Sequence, residues 1–285
     1  MRDDAAGGVP GRAPGGSGTE RRTALVTGAS SGIGRAVCKT LLDRGYHVIA
    51  TSRSPEKVAD ADRLPGAAYL PLDLTDPASI EACAAAAGPV DVLVNNAGES
   101  QLAALEELPM DALERLFQLN VFGAVRLTQL LLPGMRERRS GRVVMVGSML
   151  ASFPLAFRSS YVASKAAVKA FATAARRELS PYGVWLTTVE PGSINTGISE
   201  RRTRYLADGS PYTDAFRTVS DHLDRNEASG VSATTVAATV LKAIEAPNPK
   251  PLYAVGSRAP LVFTLRRLIS RRLAESLVSR AHGLK

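Results

Sequence analysis

The chain has 285 residues, 45% of them hydrophobic, enough to bury a full α/β core within one domain. No run of about eighteen apolar residues occurs, which excludes a spanning helix. The formal charge of +8 is lopsided: from Gly256 onward seven cations (Arg258, Arg266, Arg267, Arg271, Arg272, Arg280 and Lys285) stand against Glu275, a net of +6. The nearly balanced remainder argues against a nucleic-acid-binding body.

In chain order, residues 1–21 carry acids with scattered Gly and Pro and have almost nothing to bury, so they predict a disordered tail. They lack the apolar segment of a secretory signal, and Asp3, Asp4 and Glu20 spoil a mitochondrial presequence. Ala24 to Thr27 predicts a buried strand. A helix follows from about Gly32 to Arg44, with Gly45 as its stop. His47 to Thr51 and Ala67 to Leu72 predict the second and third strands. Asp76-Pro77 then reads as an N-cap with proline at the first helical position. Val90 to Val94 is a fourth strand, Met110 to about Arg138 one long helix, and Arg142 to Gly147 a fifth strand. A helix carrying Tyr161 and Lys165 runs to about Ser180, Trp185 to Val189 is a sixth strand, Val231 to Ala246 is helical, and Pro251 to Val255 is a seventh strand. Strands apolar on both faces, alternating with helices, imply a mainly parallel, doubly wound seven-stranded sheet of Rossmann type, α/β, in a single domain. No repeat of solenoid period is present. Cys38 and Cys83 match no metal or redox spacing and read as small apolar helix residues, which points to a reducing, cytoplasmic compartment. His47, His222 and His282 form no ligand cluster, so no metal is expected.

Four features sit at the carboxyl ends of these strands. The run Thr27-Gly28-Ala29-Ser30-Ser31-Gly32-Ile33-Gly34 closes the first strand and opens the first helix. Glycine there permits left-handed backbone and close approach of a phosphate, and the helix start directs N–H groups and a positive dipole end at it. By itself such a trio is also an ordinary tight turn. Asn95-Asn96-Ala97-Gly98 closes the fourth strand and fits a loop of small residues against the adenosine side of a dinucleotide, or a plain turn. Asp73, followed by Leu74, ends the third strand and either accepts from an adenine amino group or caps a turn. Ser148 closes the fifth strand. Tyr161 and Lys165, four residues apart, share one helix face. A phenol is a poor base at neutral pH, and an adjacent ammonium favours its anion. With a serine to orient a carbonyl oxygen, this trio suits proton transfer to or from that oxygen.

Taken together, T-G-x-x-x-G-x-G at Thr27–Gly34, Asp73, N-N-A-G at Asn95–Gly98, Asn120, Ser148, Tyr161-x-x-x-Lys165 and Pro191-Gly192 resemble the short-chain dehydrogenase/reductase family over about residues 22–256. The resemblance implies a nicotinamide cofactor. It gives Lys165 the nicotinamide ribose hydroxyls, Asn120 a water linking the lysine to solvent, and Ile194 and Thr196, after Pro191-Gly192, the carboxamide. Homodimers or homotetramers pairing through the two long helices are implied as well; Val162, Ala166, Val168 and Phe171 would allow such pairing.

At the end of the second strand, where an NAD site usually carries an acid, stand Ser52 and Arg53, which suit a 2′-phosphate. NADP(H) is therefore the expected cofactor, with NAD(H) as the alternative. Residues 197–230 are expected to cover the substrate; their arginines (Arg201, Arg202, Arg204, Arg217) suggest a solvated mobile loop, or contacts to an acidic substrate. Met149, Leu150, Phe153, Leu155 and Phe157 predict an apolar pocket and hence a small apolar ketone, aldehyde or alcohol. Residues 257–285 predict a basic amphipathic helical extension that packs on its own domain, on a partner subunit, or on an anionic membrane surface. With Tyr253-Ala254-Val255-Gly256 this ending is similar to the retinol and 17β-hydroxysteroid dehydrogenase-like branch.

Overall fold

A computed structural model describes residues 21–197 and 201–284; residues 1–20 of the expected tail lie outside them. In chain order the elements are β1 (Thr23–Val26), α1 (Gly32–Asp43), β2 (His47–Ser52), β3 (Ala67–Pro71), α2 (Pro77–Ala87), β4 (Val92–Asn95), β5 (Gln101–Ala103), α3 (Met110–Phe117), a π-helical turn (Gln118–Phe122), α4 (Gly123–Glu137), β6 (Gly141–Val146), α5 (Ser159–Leu179), β7 (Val184–Pro191), β8 (Ile194–Asn195), β9 (Thr203–Tyr205), α6 (Thr213–Ala228), β10 (Val231–Ser232), α7 (Ala233–Glu245), β11 (Leu252–Val255), α8 (Ala259–Leu268) and α9 (Arg271–Ala281).

The main sheet has seven strands in the order β11-β7-β6-β4-β1-β2-β3, each pair parallel. Leu25 of β1 lies between Ile49 of β2 and Leu93 of β4. Alternation sends Ala24 and Val26 into one core with Val37 and Leu41 of α1 and Val240 and Ile244 of α7. It sends Leu25 into the opposite core with Ile80 of α2 and Leu127 and Leu131 of α4. Both faces are covered, which explains the continuous apolar runs; each such leucine contributes about 2 kcal/mol of burial. Cys38 and Cys83 are buried in α1 and α2 as expected. Asp76 Oδ1 accepts from Ala78 N–H at 2.9 Å and Pro77 opens α2, as their spacing predicts.

Four expectations are corrected. The helix over 110–138 is broken by the π turn at Gln118–Phe122, with Asn120 at its centre. Val231–Ser232 is not helical: it pairs in parallel with Ile194–Asn195, while β5 pairs with β9. The segment after Gly197 is not a solvated loop throughout: residues 207–209 form an exposed turn, but α6 buries Phe216, Val219 and Leu223. The C-terminal extension is two helices; α8 ends at Leu268, and Ser270 Oγ accepts from Leu273 N–H to start α9. Phe263 of α8 meets Phe153 edge-on at 5.1 Å, and Val278 and Leu284 pack on the cluster formed by Leu155 and α6.

Candidate active site

The turn after β1 is shaped by what its glycines lack. Gly28 is left-handed (φ +65°), and a Cβ on it would lie 2.9 Å from Ala97 Cα. A Cβ on Gly34 would lie 2.2 Å from the Gly28 carbonyl oxygen. Thr27 Oγ1 accepts from the N–H groups of both Asn96 and Ala97 at 2.9 Å, and Asn96 Nδ2 donates to the carbonyls of Thr27 (2.9 Å) and Gly28 (3.2 Å). The loops after β1 and β4 are thereby bolted together. Ser31 is the N-cap of α1, yet its hydroxyl makes no capping bond and the first turn holds no acid, so the helix start offers bare N–H groups. Ser30 beside it is exposed, and Ile33 packs against the core. This cradle fits a dinucleotide diphosphate. Thr196 faces it from the other side: a Cβ on Gly32 would lie 3.4 Å from Thr196 Cβ.

At the end of β2, Ser52 Oγ is buried without a hydrogen-bond partner, and Arg53 is exposed beside it. A buried orphan hydroxyl is costly unless a ligand satisfies it. Asp73 Oδ1 accepts from the N–H and the hydroxyl of Thr75 at 2.8 and 2.7 Å. Burial alone would raise the Asp73 carboxyl, but the Thr75 bonds and the nearby Arg53 and Arg115 hold it below the usual range. Asp73 therefore both closes a turn and stands in the field of Arg53. Leu74 is buried, its carbonyl oxygen 2.3 Å from where a Cβ on Gly123 would lie.

The proton-transfer groups converge at the ends of β4 and β6. Asn120, Ser148, Tyr161 and Lys165 are only 3%, 9%, 8% and 6% exposed. Lys165 Nζ donates to the Val146 carbonyl at 3.0 Å and lies 5.8 Å from the centroid of the Tyr161 ring. Asn120 Oδ1 accepts from Glu99 N–H at 2.8 Å, and its Nδ2 donates to Ser164 Oγ at 3.1 Å. A Cβ on Gly98 would come within 3.0 Å of Asn120 Oδ1 and 3.3 Å of Lys165 Nζ, so the small residue is required where the two side chains meet. Ser148 Oγ accepts from Leu150 N–H at 3.2 Å. The loop behind Ser148 is tied down by Ser152, which donates to buried Glu190 at 2.8 Å, while Lys169 lies 2.9 Å from the same carboxylate. Gly192 and Ser193 are held by the end of β11: Gly192 N–H donates to Val255 and Ser193 N–H to Ser257 Oγ.

Some expected residues lie elsewhere. Asn95 turns its amide to Thr128 Oγ1 (2.9 Å) and Met145 Sδ (3.3 Å), bracing β4 rather than facing the glycine turn. Leu155 is buried in the cluster with α6, and Phe153 lies beneath Phe263 and Arg266, so the apolar lining is partly core. Arg202 is not free for an acidic substrate: its side chain is fully buried and paired with Asp224 at 2.7 Å and with Glu227. Arg204 also pairs with Asp224, at 2.9 Å.

Sequence reasoning missed Asn96 as the brace of the glycine turn, although it stood inside a recognised motif. It also missed Arg158, whose guanidinium lies 4.3 Å over the Tyr161 ring and donates to Ser100 Oγ and the Gln101 carbonyl. Burial lowers the Arg158 pKa to about 10. Among the described residues no three His, Cys, Asp or Glu come together as a metal site, and no helix is long and apolar enough to cross a membrane.

The family model for short chain dehydrogenases matches residues 22–206. The chain belongs to that family. It is 32% identical over 277 residues to the uncharacterized oxidoreductase YusZ of Bacillus subtilis (strain 168), covering 91% of this chain and 98% of that protein. A crystal structure of a short-chain dehydrogenase from Streptomyces avermitilis superposes with a TM-score of 0.79 at 33% identity, covering 93% of this chain and 99% of that one. A short-chain dehydrogenase from Sphingobium yanoikuyae in complex with NADPH gives a TM-score of 0.68 at 25% identity, covering 86% and 93%. The chain is thus an oxidoreductase of this family that works with a nicotinamide cofactor.

Proposed function

We propose that this protein reduces an apolar ketone or aldehyde to the alcohol with NADPH, Tyr161 acting as general acid. The observation that carries this reading is the tether of Lys165 to the Val146 carbonyl at 3.0 Å, which locks the helix bearing Tyr161 to the strand that presents Ser148. When bound, the nicotinamide supplies the hydride. Ser148 orients the substrate oxygen, and the Tyr161 hydroxyl donates its proton to that oxygen as it becomes an alkoxide. Lys165, held beside the ring, replaces that proton's lost electrostatic balance, and Asn120 fixes the loop after β4 through Glu99. In the opposite direction the same groups oxidise a hydrophobic alcohol; the preference for reduction rests on Arg53 and Ser52 favouring NADPH. A non-catalytic NADP(H) sensor would have no use for the Ser148–Tyr161–Lys165 set.

The test is loss of NADPH absorbance with a panel of apolar aldehydes and ketones, retinoid and steroid carbonyls among them, with NADH in parallel and Tyr161→Phe as control. Turnover with NADPH that falls by about 10³-fold in Tyr161→Phe is expected; full activity in that variant sinks the phenol mechanism.

We assign residues 22–256 to the catalytic unit and 257–285 to an extension, in a cytoplasmic protein. Exposed Phe122 of the π turn and Phe171 of α5 support pairing of two copies through the long helices. On α8, Leu261, Leu265 and Leu268 form an exposed stripe, with Arg258, Arg266, Arg272 and Arg280 exposed nearby. That combination supports peripheral contact with an anionic membrane. Sedimentation with phosphatidylserine-containing vesicles, lost with pure phosphatidylcholine and in Leu265→Asn/Leu268→Asn, is the expected result; equal recovery in the supernatant with both vesicle types would exclude it.

A further inference from the structure

We propose that Arg201 is a ligand of the cofactor diphosphate, brought to it from the substrate side of the site. The inference rests on the cofactor reading above. Arg201 Nη1 donates to Ser31 Oγ at 2.8 Å, and Nη2 donates to the Thr196 carbonyl at 3.3 Å. Those two acceptors stand on either side of the glycine turn, where Gly32 and Thr196 approach each other. The guanidinium is therefore held across the cradle that the turn forms.

The electrostatics of this position need an anion. Ser31 is the N-cap of α1, the first turn contains no acidic residue, and the Ser31 hydroxyl caps no N–H. A cation at the positive end of a helix dipole, bonded among the described residues to the neutral oxygens of Ser31 and Thr196, is in an unfavourable field. An anion with several oxygens between the guanidinium and the free helix N–H groups reverses the sign of both interactions. A diphosphate is such an anion, and Arg carries five N–H donors in a planar fork suited to it.

The neighbouring residue gives the contact a second consequence. Arg202 is buried and paired with Asp224 and Glu227 of α6. One peptide bond thus joins a group at the phosphate turn to a charge network inside the helix on the substrate side. Cofactor bound at the turn holds Arg201, and through Arg202 it restrains α6.

The experiment is calorimetric titration of the full chain with NADPH and with NADH, comparing the unaltered protein, Arg201→Gln and Arg201→Lys. Arg201 is exposed, so the variants keep the fold, checked by an unchanged thermal midpoint. Arg201→Gln is expected to weaken both nucleotides by about tenfold, as loss of a charge-assisted bond to phosphate does, and Arg201→Lys to recover part of that. Unchanged affinity in Arg201→Gln overturns the proposal. A loss confined to NADPH overturns it too, because the contact would then be to the 2′-phosphate. Failure of the unaltered chain to bind either nucleotide overturns the cofactor reading itself.

Discussion

Lys165 Nζ donates to the carbonyl of Val146, two residues before Ser148. A side chain expected to serve a cofactor and a phenol thus also spans from the second turn of α5 to the end of a central strand. Its ammonium is nearly buried, and its reach fixes how α5 sits over the sheet.

Replacing that ammonium separates chemistry from scaffold. Lys165→Met is expected to lower kcat by at least about 10²-fold, as loss of a group supporting proton transfer does. Stability should change by only about 1 kcal/mol, because one charge-assisted bond is exchanged for apolar packing. Steady-state kinetics beside urea unfolding check both; a large loss of stability with normal kcat would assign Lys165 to structure alone.

The glycine turn predicts a contrast between two small substitutions. Gly34→Ala sets a methyl against the Gly28 carbonyl and Asn96 Nδ2, so the turn must open; NADPH binding should be lost, with about 1–3 kcal/mol of stability. Gly88→Ala meets nothing within 4 Å and is strained only by its backbone, φ +63° and ψ −148°, a region open essentially to glycine. It should cost about 1–3 kcal/mol and leave NADPH affinity intact. Equal cofactor affinity in both variants would refute the cradle.

Cofactor choice is expected to turn on the end of β2. Arg53→Gln should weaken NADPH by about tenfold while leaving NADH unchanged, so that the ratio of the two kcat/KM values collapses. An unchanged ratio would return Arg53 to the solvated surface. Ser52→Ala, which removes a buried orphan hydroxyl, should raise stability slightly and weaken NADPH.

The thiols offer a check on the core. Burial pushes Cys38 up to about 12 and Cys83 up to about 11. Neither forms thiolate at pH 8, so a disulfide reagent should leave both untouched in the native protein and label both after guanidinium unfolding. Rapid labelling of the native chain would show that α1 or α2 opens.

How much of this was readable in the residues depends on range. The five central strands were legible because both faces of each are buried, as in β1, where Ala24, Leu25 and Val26 are all apolar; the edge strands β3 and β11, only half-buried, were placed by their short apolar runs. The Ser148–Tyr161–Lys165 set and the glycine turn were legible through spacing. The π turn at Asn120 was not, since one extra residue per turn barely disturbs an apolar stripe. Nor were β5, β8, β9 and β10, which are too short to show a period. Arg201, Arg202 and Arg158 carried no signal: their partners Ser31, Asp224 and Ser100 lie at least 22 residues away. Burial of an arginine is a property of the packed chain. Ser270, the cap that divides the final helix, was visible as a serine before Arg271-Arg272-Leu273, and Ser232, the cap of α7, was visible in the same way; both are signals that could have been used.

The strand order has a bearing on how the chain is made. Read outward from β1, the sheet grows in the order of synthesis: β2 and β3 on one side, then β4, β6, β7 and β11 on the other. Each strand leaving the ribosome meets an edge already built, so assembly never waits for a distant segment to thread between formed neighbours. The phosphate turn is complete early, whereas the edge of β7 stays open until Leu252–Val255 arrives. A stalled or truncated chain ending before β11 would carry a glycine cradle beside an uncovered apolar edge, and aggregation of nascent protein should start from that edge.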